Sequence, residues 1–285
     1  EAYLAWMDEK YLNAFEKITV ESEIPLQKPF EAPKELRIPY PVLEDETEED
    51  NTYLSCNMVT GNALDVRLSL AFSILEYVLL DAPGAPVKQA LLDAGIGKDV
   101  YGSYEDGILQ PFFSIVAKNA REEKKEEFFR IIRSTLEEIA ANGIDQKAVE
   151  AGINYFEFRF READYGSFPK GLIYGIDLFD SWLYSEDEPW SYLKQLDVYE
   201  ELKTLAGQGY FENLIREYLL DNPHCTVVTL YPEPGLASRR EEAVAKKLVD
   251  YKAGLTEEQI RELVRQTAAL KEYQEEEDSE EEKKK

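Results

Sequence analysis

Apolar and polar residues alternate along four segments of this chain in the way expected of half-buried strands. These segments cover residues 53–58, 98–105, 108–118 and 224–231. The second and third are joined by an Asp-Gly dipeptide, which is typical of hairpin turns and predicts antiparallel pairing. The last is rich in β-branched residues, and it must return to the same sheet across the helices that precede it.

Between and around these strands, apolar residues recur every three or four positions, which predicts helices. Asn62 and Asp145 are expected to cap two of them, because their side chains can accept hydrogen bonds from free backbone N–H groups. Asn142 followed by Gly143 is a typical helix end. The predicted helices cover residues 3–18, 62–78, 87–95, 121–142, 145–160, 167–183, 189–205, 209–220, 236–252 and 257–274.

The last two predicted helices form a hairpin that differs in character from the rest. Gly254 ends the first of them, and Thr256 with Gln259 makes a capping box at the start of the second. Both helices are charged over much of their surface. The element order predicts an α+β fold of two layers, with helices packed on a mostly antiparallel sheet and followed by the helical hairpin.

A proline-rich segment, residues 23–42, precedes the first predicted strand. It contains five prolines, and proline fixes φ and favours an extended residue before it, so a non-helical connector is predicted. The segment also carries Leu26, Phe30 and Ile38, which is more apolar surface than a free linker needs. We therefore expect this connector to lie in a groove or between two domains.

The charge balance excludes one broad class of function. The chain has 285 residues, 58 acidic and 32 basic, and a formal net charge of −26, whereas nucleic-acid binding needs clustered Lys and Arg. An acidic surface instead attracts cationic partners. No apolar run reaches the length of a membrane-spanning helix, so no membrane contact is predicted. The acidic run 275–285 is predicted to be a disordered tail.

Residue types needed for hydrolytic chemistry are missing from this sequence. His224 is the only histidine, so neither HExxH nor its inversion HxxEH can occur, and no metal site is predicted. No GxSxG nucleophile motif is present, and His224 is expected to be structural or on the surface. Cys56 and Cys225 are predicted to be buried free thiols, which favours a reducing compartment, the cytoplasm. The residues alone predict a non-catalytic domain.

Five long stretches of the sequence carry a resemblance. They read YLNAFEKITVESEIPLQKPFEAPKELRIPYPV, NTYLSCNMVTGNALDVRLSLAFSILEYVLLDAPGAPVKQALLDAGIGKDVYGSYEDGILQPFFSIVAKN, FEFRFREADYGSFPKGL, GYFENLIREYLLDNPH and LTEEQIRELVRQTAALKEYQ. They resemble the presequence-protease branch of the pitrilysin/insulinase zinc metallopeptidases, and the resemblance extends over nearly the whole chain. Members of that family contain four related α+β domains in two bowl-shaped halves, which a helical hairpin joins. Their zinc lies in the first domain, held by HxxEH and a distal Glu.

The resemblance implies a non-catalytic segment of a zinc metalloendopeptidase that degrades short unfolded peptides in a closed chamber. Because HxxEH is absent, this chain alone is expected to be inactive and without a cofactor, with zinc elsewhere in the protease. Its implied partners are the other domains of the same protease and short unfolded peptides, basic ones among them. The implied organisation is the end of a catalytic domain (1–22), a proline-rich connector (23–50), the non-catalytic α+β domain (51–234), the hairpin (235–274) and the tail (275–285).

The glycine-containing strand DVYGS, residues 99–103, is a candidate for peptide binding. Glycine inside a strand often marks a bulge or a close approach of another backbone. In the insulin-degrading relatives, an edge strand of the second domain pairs with the N-terminal end of the substrate, and the resemblance implies the same strand addition here. The implied binding residues are Val100, Tyr101, Gly102 and Ser103. The alternative is that Gly102 serves only a bulged sheet edge.

Two other functions stay open from the sequence. One is a stand-alone peptide-binding or interaction module, and the other is an inactive subunit of a protease assembly. An HxxEH motif encoded upstream of Glu1 would favour the protease segment over both alternatives.

Overall fold

The computed structural model describes residues 1–16, 18–276 and 283 of the chain. Within them lies a sheet whose strands are β1 (Lys34–Val42), β2 (Thr52–Val59), β3 (Asp99–Glu105), β4 (Phe112–Ala120) and β5 (Cys225–Pro234). The strand order is β1-β5-β2-β4-β3. The central strand β2 is antiparallel to both β4 and β5, and β3 is antiparallel to β4.

Helices cover most of the rest of the described chain. The α-helices are α1 (Ala2–Lys10), α2 (Val66–Glu76), α3 (Pro86–Asp93), α4 (Lys125–Asn142), α5 (Gln146–Glu162), α6 (Lys170–Trp182), α7 (Gln195–Ala206), α8 (Tyr210–Leu214), α9 (Leu236–Ala253) and α10 (Glu257–Glu275). Two π-helical turns, Tyr77–Asp81 and Ile215–Leu220, continue α2 and α8. The predicted α+β class, with helices packed on a mostly antiparallel sheet, is confirmed.

The chain divides into two compact units. The first comprises Glu1–Ile38 with Glu49–Leu230, and the second comprises Pro39–Glu48 with Tyr231–Lys285. The first unit contains the hydrophobic core. In the second, α9 and α10 have no buried residue, and the predicted capping box of Thr256 and Gln259 is present at the start of α10.

One face of the sheet is buried because β2 alternates strictly along its length. Its residues are in turn buried and half-buried from Thr52 to Val59, which directs one set of side chains to the helices. Cys56 in this set lies opposite Ile115 on β4 and Val227 on β5. Burial against helices on one face therefore fixes the register of the sheet.

Helix α2 lies at the centre of the core. It begins behind Asp65, whose carboxylate accepts a hydrogen bond from the Leu68 N–H at 3.0 Å. Phe72 is fully buried and contacts the rings of Tyr104, on the sheet side, and Tyr218. The segment Val66–Asp93 is the one helical stretch in the described part that is apolar and long enough to cross a membrane, and most of it is buried within this structure.

A glycine allows α5 to pack closely on α2. A Cβ on Gly152 would lie 3.2 Å from Ile74 Cγ2 and 3.3 Å from Tyr77 Cδ1, which is tighter than ordinary contact. Glycine inside a helix usually costs stability relative to alanine, so its place here is explained by this close approach.

The connector contains a strand that the sequence analysis did not predict. Residues 34–42 form β1 at one edge of the sheet, although the strand includes Pro39 and Pro41. Proline is compatible with an edge strand when its position does not need to donate a ladder hydrogen bond. The upstream part of the connector is held by Gln27, whose N–H donates to Gln110 Oε1 and whose carbonyl accepts from Gln110 Nε2.

Several predicted boundaries were wrong. The helix predicted over 3–18 ends at Lys10, and the second hairpin strand begins at Phe112 rather than at 108, since the proline before it ends the turn. Asp65, not Asn62, caps α2, while Asn62 Oδ1 accepts from the Leu64 N–H. The predicted tail 275–285 lies mostly outside the described residues.

Two neighbouring glycines provide a test of the turn before β3. Gly95 and Gly97 both have positive φ, 65° and 76°, but only at Gly97 would a Cβ meet the backbone, 2.6 Å from Lys118 O. We expect Gly95→Ala to lower the free energy of unfolding by about 1 kcal/mol for its φ alone. Gly97→Ala should cost about 3 kcal/mol, because the β4 backbone must also move.

Urea denaturation of the two variants measures this difference, with Gly95→Ala as the matched control. Equal losses of unfolding free energy would show that the positive φ, and not the contact with β4, requires glycine at position 97.

Candidate functional site

The four residues predicted to bind a peptide all lie on β3. This strand ends the sheet order, so it pairs with β4 on one side only. An edge strand leaves a row of backbone N–H and C=O groups that can pair with another chain. The register with β4 runs without a shift from Asp99 to Glu105, so the bulge considered for Gly102 is not present.

The two edges of the sheet differ in their capacity to donate backbone hydrogen bonds. The edge strand β1 contains Pro39 and Pro41, which have no N–H. The edge strand β3 contains no proline, so every residue of it carries a backbone donor. Prolines at an edge block strand addition, whereas β3 has no such block.

The side chains of β3 point to two different environments. Val100 is fully buried among the core residues, while Tyr101 is 40% exposed. Ser103 lies opposite Ser114 on β4, and its hydroxyl donates to the Glu105 carboxylate. The predicted set is therefore one buried anchor, Val100, followed by a half-open segment whose outer backbone edge is free of a strand partner.

Gly102 is explained by packing on its helix side. A Cβ there would lie 2.5 Å from Glu76 Oε1 and 2.6 Å from Leu80 Cδ1. Such distances do not occur in folded proteins, so any larger residue must displace these side chains. The close neighbour of Gly102 is therefore the end of α2 and the π-helical turn after it, and a peptide backbone is not needed to explain the glycine.

Glu76 lies next to the candidate site, and the sequence analysis did not identify it. It is a single acidic residue in the apolar stretch 68–80, and that isolation was the available signal. Burial raises its pKa to about 6, the negative charge of Asp81 adds to the shift, and Lys88 opposes it. A carboxyl group that is costly to ionise thus lies directly behind the middle of β3.

Acidic side chains also mark both ends of β3. Asp99 begins the strand and Glu105 ends it, and both are exposed. Lys88 approaches Asp99 at 3.9 Å, which is a partly exposed pair of modest strength. One exposed carboxylate therefore stands at each end of the strand edge, and the one at Asp99 is paired with Lys88.

The family's zinc does not fit the residues present in this chain. In the described part, no group of three His, Cys, Asp or Glu side chains is placed to hold a metal ion. His224 is buried, and its ring packs edge-on against Phe30 at 4.6 Å. Cys56 and Cys225 are buried and free, as predicted, with their Sγ atoms 3.7 Å apart. They lie in the sheet core, where no open coordination position faces a substrate.

The pKa of Glu76 gives a stability prediction whose sign follows from proton binding. Because its pKa is higher in the folded protein than the ordinary 4.5, ionisation penalises folding above about pH 6, and the penalty disappears as the pH falls below the ordinary value. Glu76→Gln should therefore stabilise the protein at pH 8 by about 1 kcal/mol, after allowance for partial solvent screening, and not at pH 4.

Urea denaturation of both proteins at pH 8, 6 and 4 checks this. Glu150→Gln, on the exposed surface of α5, is the matched control and should show no pH-dependent gain. An increase in unfolding free energy for Glu76→Gln that is equal at all three pH values would contradict the raised pKa of Glu76.

Comparison with protein families identifies the two parts of the chain. Residues 1–156 match the model described as "Peptidase M16 inactive domain", and residues 230–284 match the model of the segment associated with subfamily C of peptidase M16. A structure of an inactive peptidase domain from Bordetella parapertussis superposes with a TM-score of 0.53 at 14% identity, covering 65% of this chain and 92% of that one. This likeness concerns the fold alone.

Two curated relatives are similar over nearly the whole chain. "Protein HypA" of Clostridium perfringens is 40% identical over 98% of this chain and 28% of its own length. "Presequence protease 1, chloroplastic/mitochondrial" of Arabidopsis thaliana is 34% identical over 94% of this chain and 26% of its own length. The chain thus spans about a quarter of these relatives. It belongs to the peptidase M16 family of zinc metallopeptidases, and its first part is the inactive domain of that family.

Proposed function

We propose that this chain is the second, non-catalytic domain and the connecting hairpin of a zinc metalloendopeptidase that degrades short unfolded peptides in a closed chamber. The observation that carries the proposal is the order of the two family matches, the inactive domain followed by the segment associated with subfamily C, in one chain. The similarity to a presequence protease over 94% of the chain supports it.

In this proposal, the chain contributes part of the chamber wall and one edge for peptide binding. An extended peptide adds to β3 as a further antiparallel or parallel strand, and its main chain pairs with the outer edge of residues 100–103, where the Val100 N–H donates to Asp99 Oδ1 before a peptide binds. Main-chain pairing tolerates many side chains, which suits a protease that accepts unrelated peptides. Acidic residues at both ends of β3 favour basic peptides.

Zinc and the general base belong, in this proposal, to other parts of the same protease. This chain supplies neither, since it has one histidine. The same division of roles makes the other domains of the protease the first partners of this chain. The similarity of its two parts, in order, to full-length relatives favours this function over a stand-alone binding module.

If a peptide adds to β3 as a strand, methylation of its backbone nitrogens should weaken binding only at every second residue. In a strand, alternate N–H groups point toward the neighbouring strand. N-methylation of alternate residues of a basic peptide should therefore weaken binding in one register and leave it nearly unchanged in the other. The loss per blocked hydrogen bond should be about 0.5–1.5 kcal/mol, or roughly two- to tenfold in Kd.

Fluorescence anisotropy of a labelled peptide with this chain measures the effect. Gly102→Pro is not a clean probe, because the added atoms also collide with Glu76 and Leu80. Methylation on the peptide avoids any change to the fold. Equal tolerance of methyl groups at every position would contradict strand addition.

A second prediction concerns metal and activity. The purified chain should contain no stoichiometric zinc and should not cleave a peptide, since a zinc site needs at least three protein ligands. Metal analysis and mass spectrometry of an incubated peptide check both parts. Stoichiometric zinc together with hydrolysis that persists after repurification would overturn the proposed division of roles.

A further inference from the structure

Three sulfur-containing side chains meet in the hydrophobic core, on the adjacent strands β2 and β5. The Cys56 Sγ lies 3.5 Å from the Met58 Sδ and 3.7 Å from the Cys225 Sγ. The chain contains only two cysteines and two methionines, so both cysteines and one of the methionines gather at one place. Cys225 is 169 residues from Cys56 along the chain, so only the fold brings the two together. Cys56, Met58 and Cys225 are named here the sulfur cluster.

The pairing of the two strands places the sulfur cluster on one face of the sheet. Cys56 and Met58 are two residues apart on β2, so their side chains point to the same side. Cys225, at the start of β5, lies opposite Met58, whereas Cys56 lies opposite Val227. All three cluster residues belong to the hydrophobic core and are at most 8% exposed. The cluster is therefore held by backbone pairing and core packing within this chain alone.

This arrangement is poorly suited to a disulfide bond. Cys56 and Cys225 are diagonal neighbours rather than directly opposite, and diagonal neighbours in antiparallel pairs are roughly 7–8 Å apart. Cysteines whose Cα atoms are more than about 7 Å apart cannot be joined without movement of the backbone. Their Sγ atoms, 3.7 Å apart, are also far from the S–S bond length of about 2.05 Å. An ion between the sulfur atoms can bridge them where a direct bond cannot.

We propose that the sulfur cluster binds one copper(I) ion, held by the two cysteine thiolates and the Met58 thioether. Thiolate and thioether are soft ligands, and such ligands select Cu(I). With metal–sulfur distances of about 2.3 Å, as in zinc thiolate sites, three sulfur atoms in a trigonal plane are about 4.0 Å apart. The observed separations of 3.5 and 3.7 Å are slightly shorter, so small side-chain rotations admit the ion. Binding releases the two thiol protons to solvent, and copper stays in the +1 state.

Other metal ions fit the sulfur cluster less well. Zinc is usually held by four ligands drawn from Cys, His and carboxylates. Among the residues that the structure describes, no third side chain of these types joins the two cysteines. Calcium and magnesium need oxygen ligands, which three sulfur atoms do not supply. The expectation that this chain holds no stoichiometric zinc is therefore unaffected.

Copper binding should also stabilise the fold. Cys56 and Met58 stay close in the unfolded chain, but Cys225 joins them only when β5 pairs with β2. An ion that binds the folded chain more tightly than the unfolded chain raises the temperature of unfolding. Cu(I) should therefore raise the Tm of the unchanged chain, and it should do so much less in variants that lack a cysteine of the cluster.

The test titrates the reduced full chain, without oxygen, with Cu(I) supplied as its bicinchoninate complex, whose colour fades as the copper is transferred. We expect one Cu(I) to bind per chain. Cys56→Ala and Cys225→Ala should each weaken binding at least about a hundredfold, since loss of a hydrogen bond to a metal ligand alone often costs about 10–100-fold. Met58→Leu should weaken binding about tenfold, because it removes the thioether and leaves both thiolates.

Met7→Leu is the matched control. It replaces the other methionine of the chain, which is exposed on α1, and should leave Cu(I) binding unchanged. Circular dichroism without metal verifies that each variant is folded. Met58→Leu nearly conserves side-chain volume, so it reports on the site even if a cysteine variant does not fold. X-ray absorption at the copper edge of the unchanged chain should show three sulfur neighbours.

Failure of the unchanged chain to take Cu(I) from the chelator would overturn the inference. Binding that none of the three cluster variants weakens would also overturn it, as would oxygen or nitrogen neighbours around the bound copper. A Cys56–Cys225 disulfide that hydrogen peroxide forms in the intact chain, without copper binding after reduction, would assign the pair to thiol oxidation instead. None of these measurements depends on peptide binding at β3.

Discussion

The close packing of helix α2 is the constraint on which the rest of this structure depends. Two glycines approach the α2 segment from opposite sides, Gly102 from the sheet and Gly152 from α5. At both positions a Cβ would press on side chains of α2 or of the turn that continues it. The sheet and α5 can therefore both pack closely on α2, and β3 is held at the edge by contacts on its inner face rather than by a second neighbouring strand.

That arrangement also determines which edge of the sheet is available. The inner face of β3 is occupied by Val100 and by the contact of Gly102 with Glu76, so only its outer backbone edge is open. The opposite edge is β1, which prolines make a poor template for pairing. Packing and backbone chemistry therefore support the proposed strand addition at β3 on grounds that do not depend on the resemblance.

Periodicity predicted most of the fold because most elements have one buried face. The alternation around Cys56 and the helical spacing in α4, α5 and α7 both reflect that burial. Strand β1 was not predicted because its prolines disfavour a strand. They are tolerated because β1 lies at an edge of the sheet. The position of Gly102 on an edge strand was predictable, but the reason for the glycine was not, because Glu76 is 26 residues away along the chain and only the fold brings the two together.

Amide hydrogen exchange with and without a basic extended peptide tests the central claim, that β3 is the edge to which a peptide adds. Backbone hydrogen bonding protects amides from exchange. The account predicts slower exchange in residues 99–105 when the peptide is bound, with no change in residues 34–42 on the other edge. Protection of residues 34–42, or of neither strand under conditions in which the peptide is bound, would contradict it.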